Sequence, residues 1–155
     1  MKLYNSLKPE LIKLNCSATD AESFLKEMLL SLKLRNKIAD ETFILQKLLE
    51  REKLGSTSIG NNAAVPHTKL KDIKDPIIAI GTSKSGFIYN EKDKEQVHLV
   101  ILILSPNYSP IIHLQILAAA ASLVKKGGGL TKEILGANDA VELIGIIRKY
   151  ESEDD

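Results

Sequence analysis

The stretch Val97-His98-Leu99-Val100-Ile101-Leu102-Ile103-Leu104 decides the fold of this chain. Apart from its histidine it is continuously apolar and rich in β-branched residues, a pattern typical of a strand that is buried on both faces. Polar residues precede it, and Ser105-Pro106 follows it. We therefore expect this strand to lie at the centre of a sheet that has helices on both sides.

The segments on either side of this strand show alternating strand and helix patterns. Short apolar runs predict strands at 10–14 and 76–81, and a polar stretch at 83–95 predicts a turn with a short edge strand. Apolar residues at helical spacing behind capping side chains predict helices at 20–33, 40–53 and 110–126, and two shorter helices are expected at 131–135 and 138–148. This order predicts a three-layer α/β/α fold in which helices cover both faces of a mixed β-sheet.

Length and charge limit the classes of protein that this chain can represent. Its 155 residues suit one domain, which we expect at 1–150, followed by a frayed acidic tail at 151–155. The 21 basic and 20 acidic residues give a net charge of +1, so no electrostatic footprint for nucleic acid is present. Cys16 is the only cysteine, which excludes an internal disulfide and a cysteine-based zinc cage.

The apolar runs do not predict a membrane segment. The N-terminal residues lack the uninterrupted apolar core of a signal peptide. The longest apolar-rich runs, Val97–Leu104 and Ile111–Val124, are too short to span a bilayer, and each contains a histidine. We expect a cytoplasmic protein without direct membrane insertion, either free or beside a membrane partner.

The non-periodic stretch from Ser56 to His67 carries the residues best suited to chemistry. Pro66 restricts its own backbone and that of the preceding residue, so His67 is expected on a stiffened mount. The helix before this stretch ends near Arg51, which brings a permanent charge to its base. A second imidazole, His113, lies near the start of the helix that begins with Ser109-Pro110, where amide groups and the helix dipole attract anions.

The sequence does not support three other kinds of site. The three histidines show no metal-binding spacing, no nucleophile elbow surrounds a serine, and the glycines at 127–129 do not form a nucleotide loop. We therefore expect neither a metal nor a nucleotide cofactor. The alternatives left open are structural roles: Arg51 as a solvated helix-end cation, His113 as an ordinary helix residue and His98 as a strand residue with a satisfied ring.

A phosphoryl-accepting histidine fits the pattern best among catalytic roles. Such a residue must be neutral and accessible on a rigid mount, and positive groups must hold the charge of the incoming phosphoryl oxygens. His67 meets the first condition, and Arg51 and His113 can meet the second. Thr57 and Asn61 are expected to support the loop through hydrogen bonds to its backbone.

The chain resembles the mannitol/fructose-type enzyme IIA domains of the bacterial sugar phosphotransferase system, including their nitrogen-regulatory branch. The resemblance covers nearly the whole chain. It lies in Arg51-Glu52-x-x-Gly55-Ser56-Thr57-x-Ile59-Gly60-Asn61-x-x-Ala64-x-Pro66-His67, Leu102-x-Leu104-Ser105-Pro106 and His113-Leu114-Gln115-x-Leu117-Ala118.

This resemblance implies a phosphotransferase that carries a phosphohistidine. His67 would accept a phosphoryl group from the histidine-containing phosphocarrier protein and pass it to a cysteine of a sugar-permease IIB domain, while Arg51 and His113 assist. No metal or nucleotide takes part in this exchange. In the alternative suggested by the nitrogen-regulatory branch, phosphorylation of His67 controls binding to a kinase, a transporter or a transcription regulator.

Overall fold

The computed structural model describes residues 1–153, and a six-stranded mixed sheet forms the middle layer. The strands are β1 Ile12–Lys13, β2 Ser58–Gly60, β3 Ala63–Ala64, β4 His67–Leu70, β5 Ile77–Phe87 and β6 Val97–Pro106. The helices are α1 Ala21–Leu34, α2 Glu41–Lys53, α3 Pro110–Val124, α4 Gly128–Leu135 and α5 Ala140–Ser152. Two short 3-10 turns, Leu3–Ser6 and Pro9–Leu11, precede β1.

Strand β6 is the centre of the sheet, as its sequence predicts. It pairs antiparallel with β5 on one side and parallel with both β3 and β4 on the other. Alternate β6 side chains enter two different cores: Val100, Leu102 and Leu104 face α1 and α2, whereas Leu99, Ile101 and Ile103 face α3, α4 and α5. The predicted α/β/α arrangement of three layers is therefore confirmed.

Three of the helices begin where an aspartate caps them. The carboxylates of Asp20, Asp40 and Asp139 accept hydrogen bonds from backbone amides of the first turns of α1, α2 and α5. These caps satisfy amides that have no partner inside the helix.

The stretch between Ser56 and His67 differs from the expected loop. It contains β2 and β3, joined by a turn at Asn61 and Asn62, which both have positive φ angles of 52° and 64°. Asparagine tolerates this left-handed conformation. Strands of two or three residues are too short to show an alternating pattern, so sequence periodicity could not reveal them.

Strand β5 is longer than predicted and includes residues 83–87 of the segment expected at 83–95 as a turn with a short edge strand. Its pairing with β6 shifts register between Thr82 and Phe87. Gly86 lies in this irregular part with a φ of +73°, and a Cβ there would come within 2.6 Å of the His98 ring. The glycine therefore permits a bulge, not the end of the strand.

The prediction of a frayed tail at 151–155 was wrong for residues 151 and 152. Helix α5 continues through Ser152, and Glu151 is buried. The Glu151 carboxylate accepts hydrogen bonds from the backbone amides of Leu3 at 2.6 Å and Tyr4 at 2.8 Å, which hold the first 3-10 turn against α5. Of the predicted frayed tail, Asp154 and Asp155 lie outside the described residues.

Candidate active site

His67 is the first residue of β4, at a break along one side of β6. Strands β3 and β4 both pair with β6, and Val65 and Pro66 separate them. The carbonyl of Pro66 accepts a hydrogen bond from the amide of Ile103 at 3.0 Å. The buried proline and the paired strand together give His67 the rigid backbone that its sequence context predicts.

The ring of His67 is oriented by its own chain. Nδ1 lies 2.8 Å from the carbonyl oxygen of Val65. Because a carbonyl only accepts hydrogen bonds, Nδ1 carries the hydrogen of the neutral ring, and Nε2 keeps its lone pair. The sequence could not assign this tautomer, since it depends on where the Val65 carbonyl points.

The environment of His67 favours the neutral imidazole. Partial burial lowers the pKa of His67 below the 6.5 of an unperturbed histidine, and the charge of Arg51 lowers it further. The Val65 carbonyl and the Glu52 carboxylate oppose this shift in pKa. A neutral ring near pH 7 is the form that can act as a nucleophile.

Arg51 lies in the last turn of α2, where the sequence predicts it. Its Nη1 donates a hydrogen bond to the carbonyl of Gly55 at 3.0 Å. This contact uses one of the five N–H groups of the guanidinium and ties the end of α2 to the start of the active-site stretch. Arg51 is close enough for its charge to affect the pKa of His67.

His113 lies beside His67, and the centres of the two rings are 5.6 Å apart with an interplanar angle of 52°. The His113 side chain is buried, and its Nδ1 lies 2.7 Å from the hydroxyl oxygen of Ser105. Burial lowers the pKa of His113, and the charges of His67 and Lys69 lower it further. The structure thus brings together all three residues that the sequence selected.

The start of α3 offers fewer free amides than expected for an anion site. Pro110 has no amide hydrogen, the Ser109 hydroxyl accepts from the Ile112 amide, and the Ser109 carbonyl accepts from the His113 amide. Any contribution of this helix to anion binding therefore rests mainly on the His113 ring, not on a set of open amides.

Comparison with known proteins identifies the family. The model of the family described as "Phosphoenolpyruvate-dependent sugar phosphotransferase system, EIIA 2" matches residues 5–150. The chain belongs to this EIIA family. It contains a mixed sheet of six strands with five helices among its described residues, as the fold of mannitol-type EIIA structures predicts.

The EIIA relatives include both sugar-specific and nitrogen-regulatory proteins. The "PTS system fructose-specific EIIABC component" of Bacillus subtilis is 32% identical over 151 residues, which are 97% of this chain and 24% of that protein. This chain therefore spans about a quarter of the length of that relative.

Two solved structures share the fold of this EIIA domain at lower sequence identity. The nitrogen regulatory protein IIA-Ntr of Neisseria meningitidis aligns with a TM-score of 0.83 and 23% identity, over 94% of this chain and 98% of that one. Enzyme IIAMTL of Escherichia coli, in a complex with phosphorylated enzyme IIBMTL, aligns with a TM-score of 0.75 and 21% identity, over 92% and 97%.

The carboxylate of Glu52 organises the active-site stretch of this EIIA domain, although Glu52 was not predicted as a site residue. Glu52 accepts hydrogen bonds from the Thr57 amide at 3.0 Å and from the Thr57 hydroxyl at 2.6 Å. It also accepts from the Asn90 side-chain amide at 3.0 Å, so it links α2 to the segment between β5 and β6. Thr57 is 4% exposed. Thr57 has a structural role, as predicted, but its hydroxyl bonds the Glu52 carboxylate and not the loop backbone.

The turn after β2 is fastened to the opposite layer. The Asn61 side chain donates to the carbonyl of Val124 at 2.8 Å, and the Thr131 hydroxyl donates to the Asn61 carbonyl at 2.9 Å. These contacts connect the active-site stretch to the end of α3 and to α4. Asn61 therefore supports the loop, as predicted, but it does so through partners more than 60 residues away in sequence.

Two further residues near the EIIA site were not selected from the sequence. Ser105 is fully buried and contacts His113, although its position at the end of a strand gave no sign of a partner. Lys69 lies two residues after His67 on β4, on the same side of the strand, and its charge reaches His113. A strand assignment after His67 would have drawn attention to Lys69.

The third histidine, His98, contacts the backbone of the neighbouring strand. Nδ1 of His98 lies 2.8 Å from the carbonyl oxygen of Ser83 on β5.

Within residues 1–153, no group of three or more histidine, cysteine, aspartate or glutamate side chains could hold a metal ion. In the same part of the chain, no helix is both long enough and apolar enough to cross a bilayer.

Proposed function

We propose that this EIIA domain is a phosphocarrier for sugar uptake. Nε2 of His67 accepts a phosphoryl group from the histidine-containing phosphocarrier protein and passes it to a cysteine of a sugar-permease IIB domain. The observation that carries this proposal is the 2.8 Å contact between Nδ1 of His67 and the Val65 carbonyl. It leaves Nε2 with the lone pair that phosphoryl transfer requires.

In the first step, the Nε2 lone pair forms a bond to phosphorus while the N–P bond of the donor phosphohistidine breaks. The electrons of that bond return to the donor ring. His67 keeps its hydrogen on Nδ1, so its ring becomes positively charged, and the Val65 carbonyl stabilises this charge through a charge-assisted hydrogen bond. In the second step, a thiolate attacks phosphorus, and the Nε2–P electrons return to His67.

Two neighbours of His67 are suited to hold the phosphoryl oxygens during both steps. Arg51 has guanidinium N–H groups in addition to the one that bonds Gly55, and its charge does not depend on pH. When the Ser105 hydroxyl donates to Nδ1 of His113, the ring hydrogen lies on Nε2 and can donate to a phosphoryl oxygen. Both groups stabilise charge that increases in the transition state.

Exposed apolar side chains next to the site residues favour a protein as the phosphoryl donor and acceptor. They come from the end of α2, from β2 and from the first turns of α3: Leu54, Ile59, Ile111 and Leu114, which are 85%, 44%, 69% and 64% exposed. Such side chains are typical of protein contact surfaces. The likeness to enzyme IIAMTL, whose structure was solved with phosphorylated enzyme IIBMTL, supports a IIB domain as acceptor.

Phosphorylation in a reconstituted system tests the proposal. Incubation with phosphoenolpyruvate and the general phosphotransfer proteins should give an acid-labile phosphohistidine, and ring-nitrogen NMR should place the phosphoryl group on Nε2. His67→Ala should abolish labelling, whereas His98→Gln, a matched control at the structural histidine, should retain it. Absence of label on the unaltered protein would refute the proposal.

The acceptor separates sugar transport from the regulatory alternative. Labelled protein should lose its phosphoryl group to the IIB portion of the Bacillus subtilis fructose-specific relative. Normal labelling of His67 without transfer to any fructose- or mannitol-type IIB domain would instead favour the regulatory role. Comparison of proteins bound by His67→Asp and His67→Ala then tests whether charge at this position selects partners.

A further inference from the structure

A cavity of about 790 Å³ lies apart from the phosphoryl-transfer site. The turn between α1 and α2, the first half of α2, the β4–β5 connection and Asn107 form its walls. Small-molecule sites in proteins commonly have volumes of about 300–1,000 Å³. The cavity is therefore large enough for a metabolite or cofactor fragment.

The cavity and the active site lie at opposite ends of β4. His67 begins this strand, and Leu70, its last residue, lines the cavity. A strand advances by about 3.3 Å per residue, so the backbones at the two ends are about 10 Å apart. Arg51, His67 and His113 do not contribute to the cavity walls. The cavity needs an explanation of its own.

Lysines outnumber carboxylates around this cavity by four to two, although the whole chain has a net charge of only +1. Asp40 already caps α2, where it accepts a hydrogen bond from the Phe43 amide. Lys33 is paired with Glu41 at 3.0 Å. Within residues 1–153, Lys37 and Lys71 have no such ion pair, so their ammonium groups are available to an anion.

The same walls offer apolar surface. Ile38, Ile44 and Leu70 are buried side chains that line the cavity. Phe43 is 48% exposed, and the ammonium of Lys47 lies 5.7 Å from the centre of its ring. An exposed aromatic ring beside cationic groups suits a ligand that has an apolar body and a negative group.

We propose that this cavity binds a small molecule that has a flat apolar body and one anionic group, such as a carboxylate, phosphate or sulfonate. The apolar body packs against Phe43, Ile44 and Leu70, and the anionic group lies between Lys37 and Lys71. This binding does not depend on the phosphocarrier function, because it uses neither His67 nor its neighbours.

The anionic dye 8-anilinonaphthalene-1-sulfonate and its uncharged analogue N-phenyl-1-naphthylamine test the proposal. Fluorescence titration should show one saturable site that binds the sulfonate at least about tenfold more tightly than the uncharged analogue. Double substitution K37E/K71E should weaken sulfonate binding by about tenfold or more. The matched control K84E/K132E changes the same charge at exposed lysines outside the cavity and should leave the affinity unchanged.

Amide NMR of the unaltered protein provides a readout that does not depend on the variants' folding. The sulfonate should shift the signals of Phe43, Ile44 and Leu70 more than those of the remaining chain. The proposal is overturned by equal affinity for the two dyes, by equal losses in the two double variants, or by shifts confined to other regions.

Discussion

At the scale of single residues, His67 is held at one ring nitrogen and left free at the other. The contact with Val65 selects the tautomer, and partial burial together with Arg51 keeps the ring uncharged. Burial and Arg51 both disfavour the protonated ring, whereas the Val65 contact raises the pKa of His67 but fixes the hydrogen of the neutral ring on Nδ1. One backbone carbonyl, partial burial and one guanidinium together prepare the nucleophile.

Removal of Arg51 should slow phosphoryl transfer to His67 by about 100- to 1,000-fold, the usual scale for the loss of one group that stabilises transition-state charge. Rapid-quench measurement of phosphohistidine formation would give this rate for Arg51→Ala. Arg35→Ala, a substitution of an exposed arginine at the end of α1, is the matched control. A rate for Arg51→Ala within about threefold of the unaltered protein would contradict the proposed role.

The protonation of His67 should follow the shifts described above. Because its pKa is lowered, His67 should titrate with a midpoint below pH 6.5, and the neutral ring should predominate at pH 7. Arg51→Ala should move this midpoint upward, since the positive charge that disfavours protonation is lost. NMR titration of the ring protons measures both values, and a midpoint at or above 6.5 in the unaltered protein would contradict the first.

The sequence predicts best those site residues whose positions depend on neighbours close by in the chain. His67 and Arg51 stand out because a proline and a helix end determine their positions within a few residues. His113 was selected from its place near a helix start, but its contact with His67 could not be predicted, since β6 and the start of α3 bring it there from a distant part of the chain. Ser105 and Lys69 were not predicted, because their importance depends on their nearness to His113, which the spacing of residues in the sequence does not reveal.

At the scale of elements, the Glu52 carboxylate connects α2 to the active-site stretch, beside the contact of Arg51 with Gly55. It accepts from the amide and hydroxyl of Thr57 and from the side chain of Asn90. Ser56 and Asn90 in turn both donate to the Asp93 carboxylate. The segment before His67 is therefore fixed by side chains more than by its own short strands.

Replacement of Glu52 by glutamine should destabilise the protein by about 1–3 kcal/mol, because an amide nitrogen would replace one of the accepting oxygens and leave a donor unpaired. Urea denaturation measures this loss, and hydrogen exchange of the Thr57 amide should accelerate. The matched control is Glu50→Gln, which changes an exposed carboxylate of the same helix. Equal stability of the two variants would show that Glu52 does not hold the stretch.

Helices were predicted better than short strands. Capping side chains and apolar spacing predicted α1 and α2 closely, whereas the last helix was expected at 138–148 and covers Ala140–Ser152. Strands β2 and β3 gave no periodic signal because they contain three and two residues. Their conformation depends on pairing with each other and with β6, and that information is distributed over distant segments.

At the scale of the whole molecule, the central strand joins two separate cores. One contains α1 and α2, and the other contains the three C-terminal helices and the first 3-10 turn. The continuous apolar pattern of β6 was sufficient to predict this division. The attachment of the N-terminal turn to α5 was not predictable, because Leu3 and Glu151 are 148 residues apart and a buried glutamate resembles an exposed one in sequence.

Substitution Glu151→Gln should lower the free energy of unfolding by about 1.5–3 kcal/mol, the scale for hydrogen bonds to a charged acceptor. One accepting oxygen would remain, and the new amide group would face a backbone N–H. Chemical denaturation gives the difference, with Glu153→Gln as the control at an exposed neighbour. A loss no larger than that of the control would contradict a structural role for the carboxylate.

The hydrogen bonds between the first 3-10 turn and α5 can form only late in the synthesis of this chain. The amides of Leu3 and Tyr4 leave the ribosome before the carboxylate that accepts from them, which is made 148 and 147 residues later. All residues of the core around α1 and α2 lie between Leu11 and Leu104, so that core can assemble while the last helices are still being translated. The core that carries Arg51 and His67 can thus form before Glu151, the acceptor for the N-terminal amides, is made.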